Sequence, residues 1–213
     1  NPDDRMSSDE DILVKQEDYE KIKEILCNEG LEFIEKEGNE CAYFCKKTGL
    51  CIEVSTSLFP VESKAYGHLN KVFENSININ IDGIDIKTLS HEQHLIYIVF
   101  HNMKHFLHGG FGIRQVADFS KYIETYNQFI NWEKFWSDLK IYDTFALNLI
   151  DISLKYLGFD YTKAIYPEGV RDFNIIINSK DYYINSDDLI NDILNAGVFG
   201  GSTKERKHTA LMT

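Results

Sequence analysis

Asp9 and Asp11 stand two residues apart at the head of the short apolar run Ile12-Leu13-Val14. Side chains alternate along a strand, so this spacing points both carboxylates to one face. Glu53 sits in a second apolar run, Cys51-Ile52-Glu53-Val54, where a strand interior is expected. Acids gathered on neighbouring strands raise one another's pKa values unless positive charge stands between them. A divalent cation answers that need, because hard ions such as Mg²⁺ take one or two carboxylates together with substrate phosphates. The competing reading is a solvated acidic surface, which Asp3-Asp4 and Asp9-Glu10 also fit.

A second group is His101-Asn102-Met103-Lys104-His105, with His94 before it and His108 after it. It is the most polar cluster in an otherwise apolar helical stretch, and His94, His101 and His105 fall near one helical face. Arg114 and Asp118 follow on the next helix. Three roles are open. The imidazoles can cap carbonyls or pack between helices. The i, i+4 pair can hold zinc, although a His-Glu-x-x-His pattern is absent. Or the polar face can line a nucleotide or acceptor pocket, with Lys104 and Arg114 meeting phosphate. Gly109, Gly110 and Gly112 suit a tight inter-helix turn better than a phosphate cradle, since no strand precedes them.

The elements that must position these groups are legible in the patterning. Ile12 to Lys15 reads as a short buried strand, and apolar residues at helical spacing from Tyr19 to Leu26 read as a helix closed by Gly30. Leu31 to Glu35, Cys41 to Lys46 and Leu50 to Ser55 read as strands joined by turns at Glu37-Gly38-Asn39 and Lys47-Thr48-Gly49. Ser63 to Phe73 is expected to form a short helix. The alternation through Ile77, Ile79 and Ile81, the Asp82-Gly83 turn, and Ile84 and Ile86 predict a hairpin. At Ser90 the period changes, because Ser90 and Gln93 make a capping box ahead of a helix running to about Leu107. Further helices are predicted over Ile113–Tyr126, Trp132–Leu139, Asp143–Leu157 and Asp187–Leu194, with a mobile end from Gly200. The expected organisation is α+β, with an α+β region over 1–89 and a helical region over 90–213.

The 213 residues are enough for one domain or two small ones with a proper core. A net charge of −12 argues against a nucleic-acid partner, whose phosphates call for a basic surface, and against an anionic membrane. It suits a cytoplasmic protein. No apolar run has the length of a membrane span, and the first residues do not form a signal peptide. Cys27, Cys41, Cys45 and Cys51 lack paired C-x-x-C spacing, so reduced, half-buried thiols are expected ahead of zinc or a disulfide. The opening Asn1-Pro2, so close to the acidic strand, suggests a longer protein with a preceding segment.

Taken together, the chain resembles the nucleotidyltransferase superfamily, which shares the DNA polymerase beta-like palm, and within it the bacterial branch of uncharacterised nucleotidyltransferases. The resemblance rests on Arg5 followed by Ser8-Asp9-Glu10-Asp11-Ile12-Leu13-Val14, on Leu26-Cys27-Asn28-Glu29-Gly30 and on Ile52-Glu53-Val54-Ser55. It continues through His101-Asn102-Met103-Lys104-His105-Phe106, Arg114-Gln115-Val116-Ala117-Asp118 and Gly197-Val198-Phe199-Gly200. It implies a partial nucleotidyltransferase-like mixed sheet with helices, followed by a helical region. It also implies that Asp9 and Asp11 hold Mg²⁺ or Mn²⁺ on the triphosphate of an NTP, ATP foremost, while Glu53 takes the third acidic position. Arg5, Ser8, His101, Lys104, His105, Arg114 and Asp118 become candidate nucleotide- and substrate-binding residues.

One departure bears on activity. The superfamily's Gly-Ser motif precedes its Asp pair, and the eight residues before Asp9 contain no glycine. That element is expected upstream of Asn1; otherwise the chain does not transfer nucleotides by itself. The implied reaction moves a nucleoside monophosphate onto a hydroxyl of a small molecule or protein. The rival readings are a non-catalytic interaction protein that keeps the palm, and a metal-dependent hydrolase built on His101 and His105.

Overall fold

A computed structural model describes residues 10–35, 40–59, 67, 69, 71–108, 111–139, 143–160, 177–179, 182–184 and 186–197. The chain is α+β. Its compact units are Asn1–Leu69 and Asn70–Thr213.

The first unit carries a four-stranded mixed sheet in the order β1-β4-β3-β2, formed by Glu10–Leu13 (β1), Glu32–Glu35 (β2), Glu40–Phe44 (β3) and Cys51–Ser55 (β4). β1 runs parallel to β4, whereas β2, β3 and β4 form an antiparallel meander. The parallel pairing needs a crossover, which Tyr19–Asn28 (α1) supplies after a 3-10 turn at Gln16–Asp18. The helix ends where Gly30 adopts φ +86°. There the Gly30 amide donates to Cys27 O at 3.0 Å and the Leu31 amide to Leu26 O at 3.0 Å, a Schellman closure. The unit's core gathers Val14, Tyr43 and Val54 with Tyr19, Ile22, Leu26, Leu31 and Ile52 around them. β1 begins two residues before the expected Ile12, because Glu10 and Asp11 pair with Ile52 and Glu53 in the ladder. Backbone pairing with β4, not apolar patterning, fixes where the strand starts.

The second unit opens with a hairpin of Ile77–Ile81 (β5) and Ile84–Thr88 (β6) around the Asp82-Gly83 turn. Asn80 fixes that turn, accepting from the Gly83 amide at 3.0 Å and donating to Asp85 at 2.7 Å. Helices His91–His108 (α2), Ile113–Tyr126 (α3), Trp132–Leu139 (α4), Asp143–Tyr156 (α5) and Ser186–Ala196 (α6) follow. The first three starts each have a physical signal. Ser90 Oγ accepts from the Gln93 amide at 3.4 Å ahead of α2. Gln115 Oε1 accepts from the Gly112 amide at 3.0 Å at α3, and Asn131 Oδ1 accepts from the Lys134 amide at 3.0 Å at α4. Leu95, Val99, Phe119, Phe135, Leu149 and Leu189 are fully enclosed, so all five helices contribute to one core.

One expectation is corrected. Among the described residues of the helix expected over Ser63–Phe73, 67, 69 and 71–73 lie in turns. Gly67 adopts φ +86°, which a continuous right-handed helix does not accommodate. Within the region expected to be helical, Ile177–Ser179 (β7) and Tyr182–Ile184 (β8) pair as an antiparallel hairpin. Strands of three residues are too short to announce themselves by alternation. The end from Gly200 lies outside the described residues. Among those described, no helix is long and apolar enough to cross a membrane.

Candidate functional site

Ile52 and Val54 pack on the side of the sheet that meets α1. Alternation therefore turns Glu53, between them, to the opposite face. Asp11 is the direct partner of Glu53 in the parallel ladder, and directly paired residues share a face. The two acids thus stand side by side on the sheet, Asp11 exposed and Glu53 half-buried. Glu53 is also paired with Ala42, whose small side chain, itself buried, continues the row. Asp9, the third expected acid, and Arg5 and Ser8 lie outside the described residues. Among the described residues, no three or more His, Cys, Asp or Glu side chains gather in a way that could hold a metal ion. Asp11 and Glu53 alone supply two hard oxygen donors, the donor type that Mg²⁺ or Mn²⁺ takes.

Among the described side chains, four histidines of α2 fall into two pairs. His101 and His105, one helical turn apart, bring their Nε2 atoms to 2.7 Å. Their rings lie 4.5 Å apart between centroids, with Tyr97 5.6 Å from His101. Lys104, on the same helix, is exposed. His91 and His94 instead pack against α3 and the turn beyond it. The His91 ring stacks on Tyr126 at 4.8 Å and on Phe129 at 5.4 Å, and His94 lies 4.7 Å from Tyr122. Burial, then the charge of His91, lowers the His94 pKa below its usual value. Burial, then Tyr126 and Glu92, raises that of Tyr122. Of the imidazoles for which packing between helices was one open role, His94 packs so, and His91, not singled out in the sequence, packs beside it. Arg114 and Asp118 are half-buried one turn apart on α3. Gly112 opens α3 through its bond to Gln115, in keeping with a turn between helices, while Gly109 and Gly110 lie outside the described residues.

Cys27, Cys45 and Cys51 are free thiols. Sequence reasoning passed over the setting of Cys45. The β3–β4 turn closes through Cys45 N to Leu50 O at 2.9 Å and Gly49 N to Cys45 O at 2.8 Å. The Thr48 hydroxyl, then the Thr48 and Lys47 amides, hydrogen-bond the sulfur and hold its pKa below the usual thiol value. The available signal was a Cys three residues before a Thr inside a predicted turn. The stripe Tyr122, Tyr126 and Phe129 was likewise the unread cue for His91.

With this geometry in place, the family described as "Uncharacterised nucleotidyltransferase" matches the sequence over residues 1–150. That span includes the sheet, the paired acids, α2 and α3. No curated protein and no solved structure matches the chain.

Proposed function

This chain belongs to the uncharacterised nucleotidyltransferase family, and from that membership we propose that it moves a nucleoside monophosphate from an NTP, ATP foremost, to a hydroxyl of a small molecule or protein. The observation that carries the reading is the direct pairing of Asp11 with Glu53 on one face of the sheet. These two carboxylates would hold Mg²⁺ or Mn²⁺, and the family resemblance adds Asp9. Such a cation, when bound, offsets the charge of the triphosphate and of the leaving pyrophosphate.

The chain's own residues have separable tasks. Transfer joins the acceptor oxygen to the α-phosphorus, breaks the bond from that phosphorus to the oxygen bridging to the β-phosphate, and sends the hydroxyl proton to a base. Glu53 is the residue for that proton if it is not engaged in holding metal. Arg5, Ser8, His101, Lys104, His105, Arg114 and Asp118 enter through the resemblance alone. The charge of −12 favours a small-molecule or protein acceptor over a nucleic acid.

The test is pyrophosphate release and label transfer from ATP carrying an isotope at the α-phosphate, with Mg²⁺ present and absent, for wild type and Glu53→Gln. Metal-dependent release that is lost in Glu53→Gln supports the reading. Release at equal rates from both proteins removes Glu53 from the chemistry. Failure of the wild type to bind ATP or release pyrophosphate favours a non-catalytic member of the family.

A further inference from the structure

We infer that His101 and His105 form a two-histidine clamp for a nitrogen-preferring divalent transition metal of the Zn²⁺, Ni²⁺ and Cu²⁺ class. The two rings do not merely share a helix face. Their Nε2 atoms converge on one point, 2.7 Å apart. At that separation one Nε2 carries hydrogen and the other accepts it. A metal replaces that hydrogen when both rings adopt the Nδ1–H tautomer and turn two lone pairs inward.

The geometric change is small. Zinc–nitrogen bonds of about 2.05 Å at a tetrahedral angle put two ligand nitrogens about 3.3 Å apart. Opening the pair from 2.7 Å needs a shift of about half an ångström, within reach of side-chain torsions on neighbouring helical turns. Both rings are half-buried, so neither begins as a freely waving surface side chain. The Tyr97 ring beside His101 restricts it further. Less rotamer freedom remains to be lost on binding than at an exposed pair.

Metal preference follows from the donors. Imidazole nitrogen suits Cu²⁺, Ni²⁺ and Zn²⁺, in the affinity order Cu²⁺ above Ni²⁺ and Zn²⁺, and discriminates against Mg²⁺. Among the described residues, no group of three such donors forms. The clamp thus differs in chemistry from the oxygen pair Asp11 and Glu53, and it neither requires nor excludes nucleotidyl transfer.

The experiment titrates the full chain with Ni²⁺ and, separately, with Zn²⁺ by calorimetry. The proteins are wild type, His101→Gln, His105→Gln and His94→Gln, with far-ultraviolet dichroism to confirm helix content. Expected is one Ni²⁺ per chain, weakened at least about tenfold by either His101→Gln or His105→Gln, since even outer-shell changes cost that much. His94→Gln should bind as wild type. Unchanged affinity in the His101 and His105 variants, or an equal loss in His94→Gln, overturns the clamp. Electron paramagnetic resonance of the Cu²⁺-loaded wild type tests the clamp without any substitution. Coupling to two imidazole nitrogens supports it, and an oxygen-only signature overturns it.

Discussion

Charge repulsion between Asp11 and Glu53 can be measured apart from everything else these side chains contact. They are direct partners on neighbouring parallel strands, which lie about 4.8 Å apart, so their carboxylates stand about 5 Å apart on the shared face. Two unit charges at about 5 Å repel by about 0.8 kcal/mol in water and about 3 kcal/mol at an effective dielectric of about 20. Asp11 is exposed, which sets the expected value at about 1 kcal/mol at low salt. The perturbation is the cycle of Asp11→Asn, Glu53→Gln and the double variant, which subtracts each residue's other contacts. Urea unfolding without metal should give a repulsive coupling of about 1 kcal/mol that shrinks as salt is added. Saturating Mg²⁺ should reverse the order of stability. The wild type gains about 2.7 kcal/mol at a hundredfold excess of metal over its dissociation constant, and the single variants gain less. A coupling of zero, or an equal Mg²⁺ gain in wild type and Asp11→Asn, would refute the view that these carboxylates form one cation site.

Further outcomes follow from individual contacts. The His94 pKa is lowered in the folded state, chiefly by burial, so the unfolded chain takes the proton first as pH falls. Stability should be full above the usual value of 6.5 and should decline from there down to the lowered folded value. The slope from this group is at most about 1.4 kcal/mol per pH unit, and His94→Gln should flatten it in urea titrations across pH 5 to about 7.5. Ser120 and Ser153 share a buried contact of 2.5 Å while each also reaches the carbonyl four residues back at 2.6 Å. Ser153→Ala should cost about 1 kcal/mol, and the double Ser→Ala variant less than the sum of the singles, read by equilibrium unfolding. Lys155 lies 2.6 Å from Asp151, whose side chain is 2% exposed. Lys155→Met should destabilise by about 2 kcal/mol by stranding a buried carboxylate, whereas Lys155→Arg should recover most of the loss. Cys45 should alkylate with iodoacetamide faster than Cys27, and Thr48→Val should slow it by removing the hydroxyl that favours the thiolate.

What the sequence disclosed is what local chemistry controls. The helix begun by Ser90, the turn at Asp82-Gly83 and the stop at Gly30 depend on residues within four or five positions, and each lies where its signal put it. Elements fixed by distant partners were less legible. The start of β1 is set by pairing with β4, and the hairpin at Ile177–Ile184 consists of strands too short to pattern. Leu69 and Val72, within the span expected to be helical, are buried in turns, because burial asks for apolar residues without asking for a period. At the candidate site, the residue types Asp11 and Glu53 could be picked from the sequence, yet their direct pairing is a property of register. The division of labour among the α2 histidines depends on the aromatic rings of α3 and its following turn, many residues away.

The pairing of β1 with β4 also makes the acid pair an all-or-none feature. A slip of one residue would not move Asp11 a little way from Glu53; it would carry Asp11 through the sheet to the side where Ile52, Val54 and α1 pack. Small changes in the loops between these strands therefore have no intermediate geometry through which to drift. Selection acting on such a site sees two states, intact and lost. The core that anchors Val14 and Val54 then protects chemistry as well as stability, since any change that preserves the register of those two valines preserves the acids facing away from them.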